Sequence, residues 1–143
     1  MEKYSVVDRL GNGGLCLTLL CKDETENKQY VMKQINTDIG QLDSLSLLVK
    51  LQKMKQLKHV NIVPYIDCQQ EGDFVTIVTD YFPGGNLKQF MAKQVGVNKD
   101  FIIRLFHQLT KGLHYLHEQK IIHGDIKPDN IIADSKGRLK LRD

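Results

Sequence analysis

The sequence contains no apolar run approaching the ~18 residues that a membrane-spanning helix needs, so no such helix is expected within these residues. Charge of one sign is missing too. Twenty basic residues against 17 acidic leave a net charge of +3, too mild to argue for nucleic acid or a membrane as partner. Cysteine is scarce: Cys16, Cys21 and Cys68 are odd in number and lack metal-ligand spacing. That excludes a disulfide framework and predicts reduced thiols. The first residues, Met1-Glu2-Lys3-Tyr4, run straight into a strand pattern and carry no secretory leader. The expected compartment is the cytoplasm, with the nucleus as the alternative. Repeats, linkers and low-complexity segments are absent.

What is present is an ordinary globular composition, 41% hydrophobic and 26% charged, in a chain whose length suggests one domain. A domain of this size buries roughly 68–70% of its unfolded surface, enough for a core. Strand-like alternation predicts strands at 4–10, 15–21 and 29–35, with a Gly11-Asn12-Gly13-Gly14 turn after the first. The period then changes. Leu42, Leu45, Leu48, Leu51, Met54 and Leu57 predict a helix over 41–58. Its lysines, Lys50, Lys53, Lys55 and Lys58, with His59 behind them, read as a solvated face. Two more strands are predicted at 62–68 and 74–79. A Pro83-Gly84-Gly85-Asn86 turn precedes a short helix from Leu87. Residues 100–118 form the cleanest amphipathic helix, with Ile102, Leu105, Phe106, Leu109, Leu113 and Leu116 on one stripe. A polar loop at 123–130 and short strands at 131–133 and 138–141 follow. The fold class is α+β: a five-stranded antiparallel sheet with one helix, then the beginning of a helical part.

The segment His123 to Asn130 reads HGDIKPDN. It resembles the catalytic loop of eukaryotic protein kinases. The resemblance implies that Asp125 is the catalytic base, that Lys127 neutralises the transferring phosphoryl group, and that Asn130 holds Mg²⁺. Other parts fall in the family's order. Leu10, Gly11 and Gly13 open a glycine-rich hairpin that in this family covers the ATP phosphates, with Thr18 and Val31 beside it. Lys33, 22 residues after Gly11, resembles the strand lysine that grips the phosphates. Thr79, Asp80 and Phe82 look like the hinge that binds adenine, with Thr79 as gatekeeper. Asp143, 18 residues after Asp125, falls where the family carries its D-F-G aspartate, the second Mg²⁺ ligand.

The resemblance covers the whole chain. It implies a kinase domain over 1–143, divided into an N-lobe (1–79), a hinge (80–86) and part of a C-lobe (87–143). Lys127 points to the serine/threonine group. The run KHVNIVPY and the GGNL exit of the hinge are similar to NIMA-related kinases. The MEKY start and VMKQI are similar to a divergent serine/threonine kinase-like group that is thought of as inactive. The implied cofactors are ATP and Mg²⁺, and the implied partner is a protein substrate or a regulatory protein. The 143 residues stop at the D-F-G aspartate, so this chain alone is expected to be inactive. The helix at 100–118 is expected to show Ile102, Leu105, Leu109, Leu113 and Leu116 partly exposed, a face that favours self-association.

Four departures from the pattern matter. Cys16 occupies the third glycine of the hairpin. Residues 44–58 contain no acid, and Lys50 stands where the family carries the glutamate that pairs with the strand lysine. Lys50 either points at Lys33 or snorkels its ammonium to solvent. Gly124 replaces the arginine before Asp125. The activation segment is not among the 143 residues. These departures support a pseudokinase, a nucleotide-binding or scaffolding module, as the alternative to an active enzyme.

Overall fold

The computed structural model describes residues 2–12, 14–93 and 98–142. They form two compact units, Met1–Leu57 with Pro64–Tyr81, and Lys58–Val63 with Phe82–Asp143.

The first unit is an antiparallel sheet of β1 (Tyr4–Asn12), β2 (Cys16–Asp23), β3 (Lys28–Asn36), β4 (Tyr65–Glu71) and β5 (Phe74–Asp80), in the order β1-β2-β3-β5-β4, with α1 (Ser44–Lys55) packed on it. This is the α+β sheet with one helix that the alternation predicts. Period-two burial divides its faces. Cys21, Tyr30, Met32 and Val78 pack together on one side. Cys68, Val75 and Ile77 meet Leu51 of α1 on the other. The β2–β3 turn is built by Asp23, whose buried carboxylate accepts from Thr25 N (2.9 Å) and Thr25 Oγ1 (2.5 Å). These bonds, Thr25 first, hold the Asp23 carboxyl below the usual range despite its burial. All three cysteines are free, and burial pushes the Cys21 and Cys68 thiols up.

Helix α1 is shorter than its leucine spacing predicts. Residues 37–43 fold back on β3 instead: Asn36 Oδ1 accepts from Asp38 N and Ile39 N (both 3.1 Å), and Leu42 N donates to Thr37 O (2.9 Å). Gln41 takes a left-handed φ of 48°, which no helix continues through. Asp43 then caps α1 through Leu45 N (3.1 Å). At the other end the Gln56 N–H closes on Lys53 O and Met54 O.

The second unit holds α2 (Leu87–Lys93), α3 (Lys99–Glu118), a 3-10 turn (Pro128–Asn130), β6 (Ile131–Ala133) and β7 (Leu139–Leu141). Asn86 starts α2 reciprocally with Gln89: each backbone N–H bonds the other's side chain, at 3.1 and 2.9 Å. Asn98 caps α3 through Phe101 N (2.8 Å). The strand expected at 62–68 begins only at Tyr65. Leu141 N donates to Asn61 O (2.8 Å) and Val63 N to Leu141 O (2.9 Å), so Ile62 lies parallel to Leu141 in the second unit. The buried Asn61 amide fixes this crossing by donating to Leu139 O (2.8 Å). Gly112 of α3 must be small there, because a Cβ would stand 3.0 Å from Asn61 O.

The expected exposure of the α3 stripe is only partly right. Leu109 and Leu116 are buried and Leu105 and Leu113 half-buried, whereas Ile102, Ile103 and Phe106 are exposed. Among the described residues, no helix is long and apolar enough to cross a membrane.

Candidate active site

The implied residues of the first unit are brought together by strand register. Gly11 lies opposite Thr18, and Thr18 opposite Lys33, across β1, β2 and β3. One row further, Val31 of β3 lies opposite Thr79 of β5. Directly paired residues share a face, as do i and i+2. Thr18, Val31, Lys33 and Thr79 therefore line one side of the sheet, the side of Val75 and Ile77 on which α1 packs. All four are half-buried. Leu10 is exposed and sits at an irregularity in the β1–β2 pairing, between Arg9 and Gly11. Gly13 lies outside the described residues. Asp80 closes the strand: its N–H donates to Pro64 O (3.2 Å) and its carboxylate pairs with Lys28 (3.0 Å).

Lys50 is exposed, off the inner stripe formed by Leu47, Leu48, Leu51 and Met54. Its spacing of −3, +4 and +7 from Leu47, Met54 and Leu57 would set Lys50 on an inward stripe, which its exposure corrects. Of α1 only Leu51 and Met54 are buried, so the inner stripe is narrower than those spacings imply.

In the second unit the polar loop is a network centred on Asp125. Asn130, itself buried, donates its Nδ2 to Asp125 O (2.9 Å) and to Asp125 Oδ2 (3.1 Å). Lys127 Nζ reaches the same Oδ2 at 3.2 Å. Both of these side-chain bonds fall on Oδ2, so among the described residues Oδ1 is the oxygen left to take a proton. With both Nδ2 protons used, Asn130 has its amide oxygen as the group to offer a cation. An oxygen donor suits Mg²⁺. The turn Pro128–Asn130 orients this amide, opening with a proline that needs no N–H there.

His123, which the motif gives no role of its own, holds the loop from behind. His123 Nδ1 accepts from Asp125 N (3.1 Å) and its Nε2 bonds Arg142 O (2.7 Å). Arg142 is tied again, through its N–H to Asn130 O (2.9 Å) and its Nη2 to Asp129 O (2.8 Å). The signal for His123 was its place as the first residue of HGDIKPDN. Asp143 lies outside the described residues. Phe82 accepts from Gly85 N (3.3 Å), and the buried Lys140 places its Nζ 5.5 Å from the Phe82 ring while bonding Val60 O (2.7 Å). The burial of Lys140 is not legible in sequence, because a lysine in a strand normally reads as surface.

A protein kinase domain model matches residues 4–143. The chain is 35% identical to the serine/threonine-protein kinase Nek5 of Homo sapiens, with 97% of this chain and 20% of Nek5 covered. It is 32% identical to Nek1 of Mus musculus, with 100% of this chain and 12% of Nek1 covered. It is 33% identical to mouse Nek5, with 97% of this chain and 22% of that protein covered. The chain thus spans about a fifth of these relatives or less.

Proposed function

We propose that this chain, which belongs to the protein kinase family, carries the nucleotide-binding and catalytic-loop residues of a serine/threonine protein kinase, acting in the cytoplasm. The observation that supports it best is the loop fixed around Asp125, with Lys127 and Asn130 bonded to one carboxylate oxygen. In this reading Asp125 Oδ1 accepts the proton of a substrate hydroxyl while Oδ2 stays neutralised by Lys127. Asn130 keeps the carboxylate from swinging, and His123 fixes the backbone of Asp125. Lys33 and the Gly11–Gly13 turn hold phosphates. Leu10, Thr18 and Val31 flank the base. Thr79, Asp80 and Phe82 present backbone to it. Asn130 and Asp143 hold Mg²⁺, which when bound offsets the charge that develops on the phosphates. The partner is a protein substrate.

The test is calorimetric melting with ATP, with and without Mg²⁺. A nucleotide that binds the native state raises its melting temperature by mass action. The rise should shrink in Lys33→Met, and the Mg²⁺-dependent part in Asn130→Ala. No rise at saturating nucleotide in a folded sample would sink the proposal.

A second reading, a pseudokinase that scaffolds or regulates, is favoured by the lack of any acid in residues 44–58 and by Cys16 at the third-glycine position of the hairpin. A radiolabelled phosphate-transfer assay separates the two, with Asp125→Asn as blank, on these residues extended by the rest of a related kinase's large lobe. Nucleotide binding without turnover above the blank is the pseudokinase outcome.

A further inference from the structure

The last residue of β5 is held from behind the sheet. Tyr30 and Asp80 lie opposite each other across β3 and β5, so their side chains share a face. It is the face of Cys21, Met32 and Val78, and Val31, Lys33 and Thr79 line the other. The Asp80 carboxylate therefore stands on the far side of the sheet from Lys33. There it meets Lys28 Nζ at 3.0 Å, with the Asp80 side chain 19% and the Lys28 side chain 52% exposed. The same ammonium lies 5.1 Å from the centre of the Tyr30 ring. Two other carboxylates close to Lys28 in sequence or register are engaged elsewhere. Asp23 is bonded by Thr25 and paired with Lys3 at 3.7 Å, and Glu26 accepts from the Tyr30 hydroxyl at 2.8 Å.

The backbone of Asp80 is only half satisfied by the ladder. Its N–H donates to Pro64 O at 3.2 Å. In an antiparallel pair the opposite residue normally returns a bond, but Pro64 has no N–H to give. The N–H and C=O of one strand residue point to the same side, so β3 does not claim this carbonyl either. Among the described residues the ladder thus leaves the Asp80 carbonyl as an acceptor at the strand end. A purine with a 6-amino group supplies the donor it lacks, whereas a 6-oxo purine sets acceptor against acceptor. We propose that Pro64 and Lys28 determine base selectivity: Pro64 leaves the Asp80 carbonyl open, and Lys28, a positioning residue, fixes its direction by holding the Asp80 carboxylate from the opposite face. This inference rests on the nucleotide-binding reading given above. The Lys28–Asp80 pair is partly exposed and adds little to stability, so its effect falls on selectivity.

The experiment is isothermal titration calorimetry of the 143-residue chain with ATP and with inosine triphosphate, which carries a 6-oxo group where ATP carries the amine. Both have the same phosphates, so the Lys33 grip cancels in the ratio of the two affinities. The parent should bind ATP at least about tenfold more tightly. Lys28→Met, which keeps the apolar stem over Tyr30, should narrow that ratio at least about threefold by weakening ATP alone. Its melting temperature without nucleotide should stay close to the parent's. Lys28→Arg should restore the ratio. Pro64→Ala, which supplies the missing N–H, should narrow it as well. Lys33→Met should weaken both nucleotides and leave the ratio unchanged. A ratio unaltered in Lys28→Met and Pro64→Ala, with ATP binding still dependent on Lys33, would overturn this proposal and leave the nucleotide-binding reading standing. Equal affinity of the parent for both nucleotides, an equal loss of both in Lys28→Met, or an arginine variant as impaired as the methionine one would also overturn it. Binding of neither nucleotide by the folded parent would overturn both.

Discussion

Gly124 stands at φ 82°, immediately before Asp125, and a Cβ added there meets nothing within 4 Å. Any penalty for a side chain is therefore conformational rather than steric. An L-residue held in the left-handed region costs about 1–2 kcal/mol. Replacing glycine also stiffens the unfolded chain, which offsets about 0.4–1 kcal/mol of that. Gly124→Ala should then destabilise by about 1 kcal/mol, a fall in melting temperature of about 3–5 °C for a chain of this length. Gly124→Arg restores the residue of the kinase pattern, yet it should lose as much, because the strain lies in the backbone. Gly124→Asn should lose less, since asparagine visits this region more readily. Thermal and urea unfolding followed by circular dichroism rank the four proteins. An arginine variant as stable as the parent, or an asparagine variant below the alanine one, would refute the assignment of strain to this peptide.

Three further outcomes are expected. The Tyr30 hydroxyl donates to Glu26 (2.8 Å) and its phenol is pushed up from 10.0 to about 12, by burial first. Its contribution is therefore complete below about pH 10 and lost as pH rises towards 12; urea midpoints across that range should fall less steeply in Tyr30→Phe, and equal slopes would contradict this. Asn61→Ala removes the partner of the Leu139 carbonyl and should cost about 1–3 kcal/mol, read as a drop in urea midpoint with amide exchange accelerated in β7; a change confined to the first unit would contradict it. The apolar part of α3 that remains open, Ile102, Ile103 and Phe106, should make the 143-residue chain bind a hydrophobic dye and sediment as more than a monomer, less so in Phe106→Lys; a dye-silent monomer at high concentration would contradict it.

The sheet was legible because half-buried antiparallel strands alternate, and the turns between them carry Gly72 and Asn27 at positive φ. The catalytic loop was legible because HGDIKPDN places its polar groups in one short segment. What escaped had long-range causes. The start of α1 is set by Asn36 and Thr37 side-chain and backbone bonds, which no leucine spacing encodes. Ile62 looks like the first residue of a strand by composition, yet its neighbours Asn61 and Val63 bond Leu141, 80 and 78 residues later in the chain. Lys140 reads as surface, but it is buried because Val60 O and the Phe82 ring receive its ammonium.

Lys50 decides less than its place in the pattern suggests. Two lysines ~4 Å apart repel by about 1 kcal/mol in water and about 4 kcal/mol at an intermediate dielectric. The exposure of Lys50 makes the smaller figure the relevant one, a factor of about five in an equilibrium constant. That is too little to abolish phosphate binding. The heavier loss is the carboxylate that residues 44–58 lack altogether, since it removes an attraction instead of adding a weak repulsion. The loop around Asp125 cannot offset this, because its bonds are made among its own groups and require no nucleotide. A preassembled loop is compatible with an enzyme and with a scaffold alike. What separates them is whether phosphates are gripped from the strand side, so the Lys33-dependent nucleotide shift carries more weight than any distance within the loop.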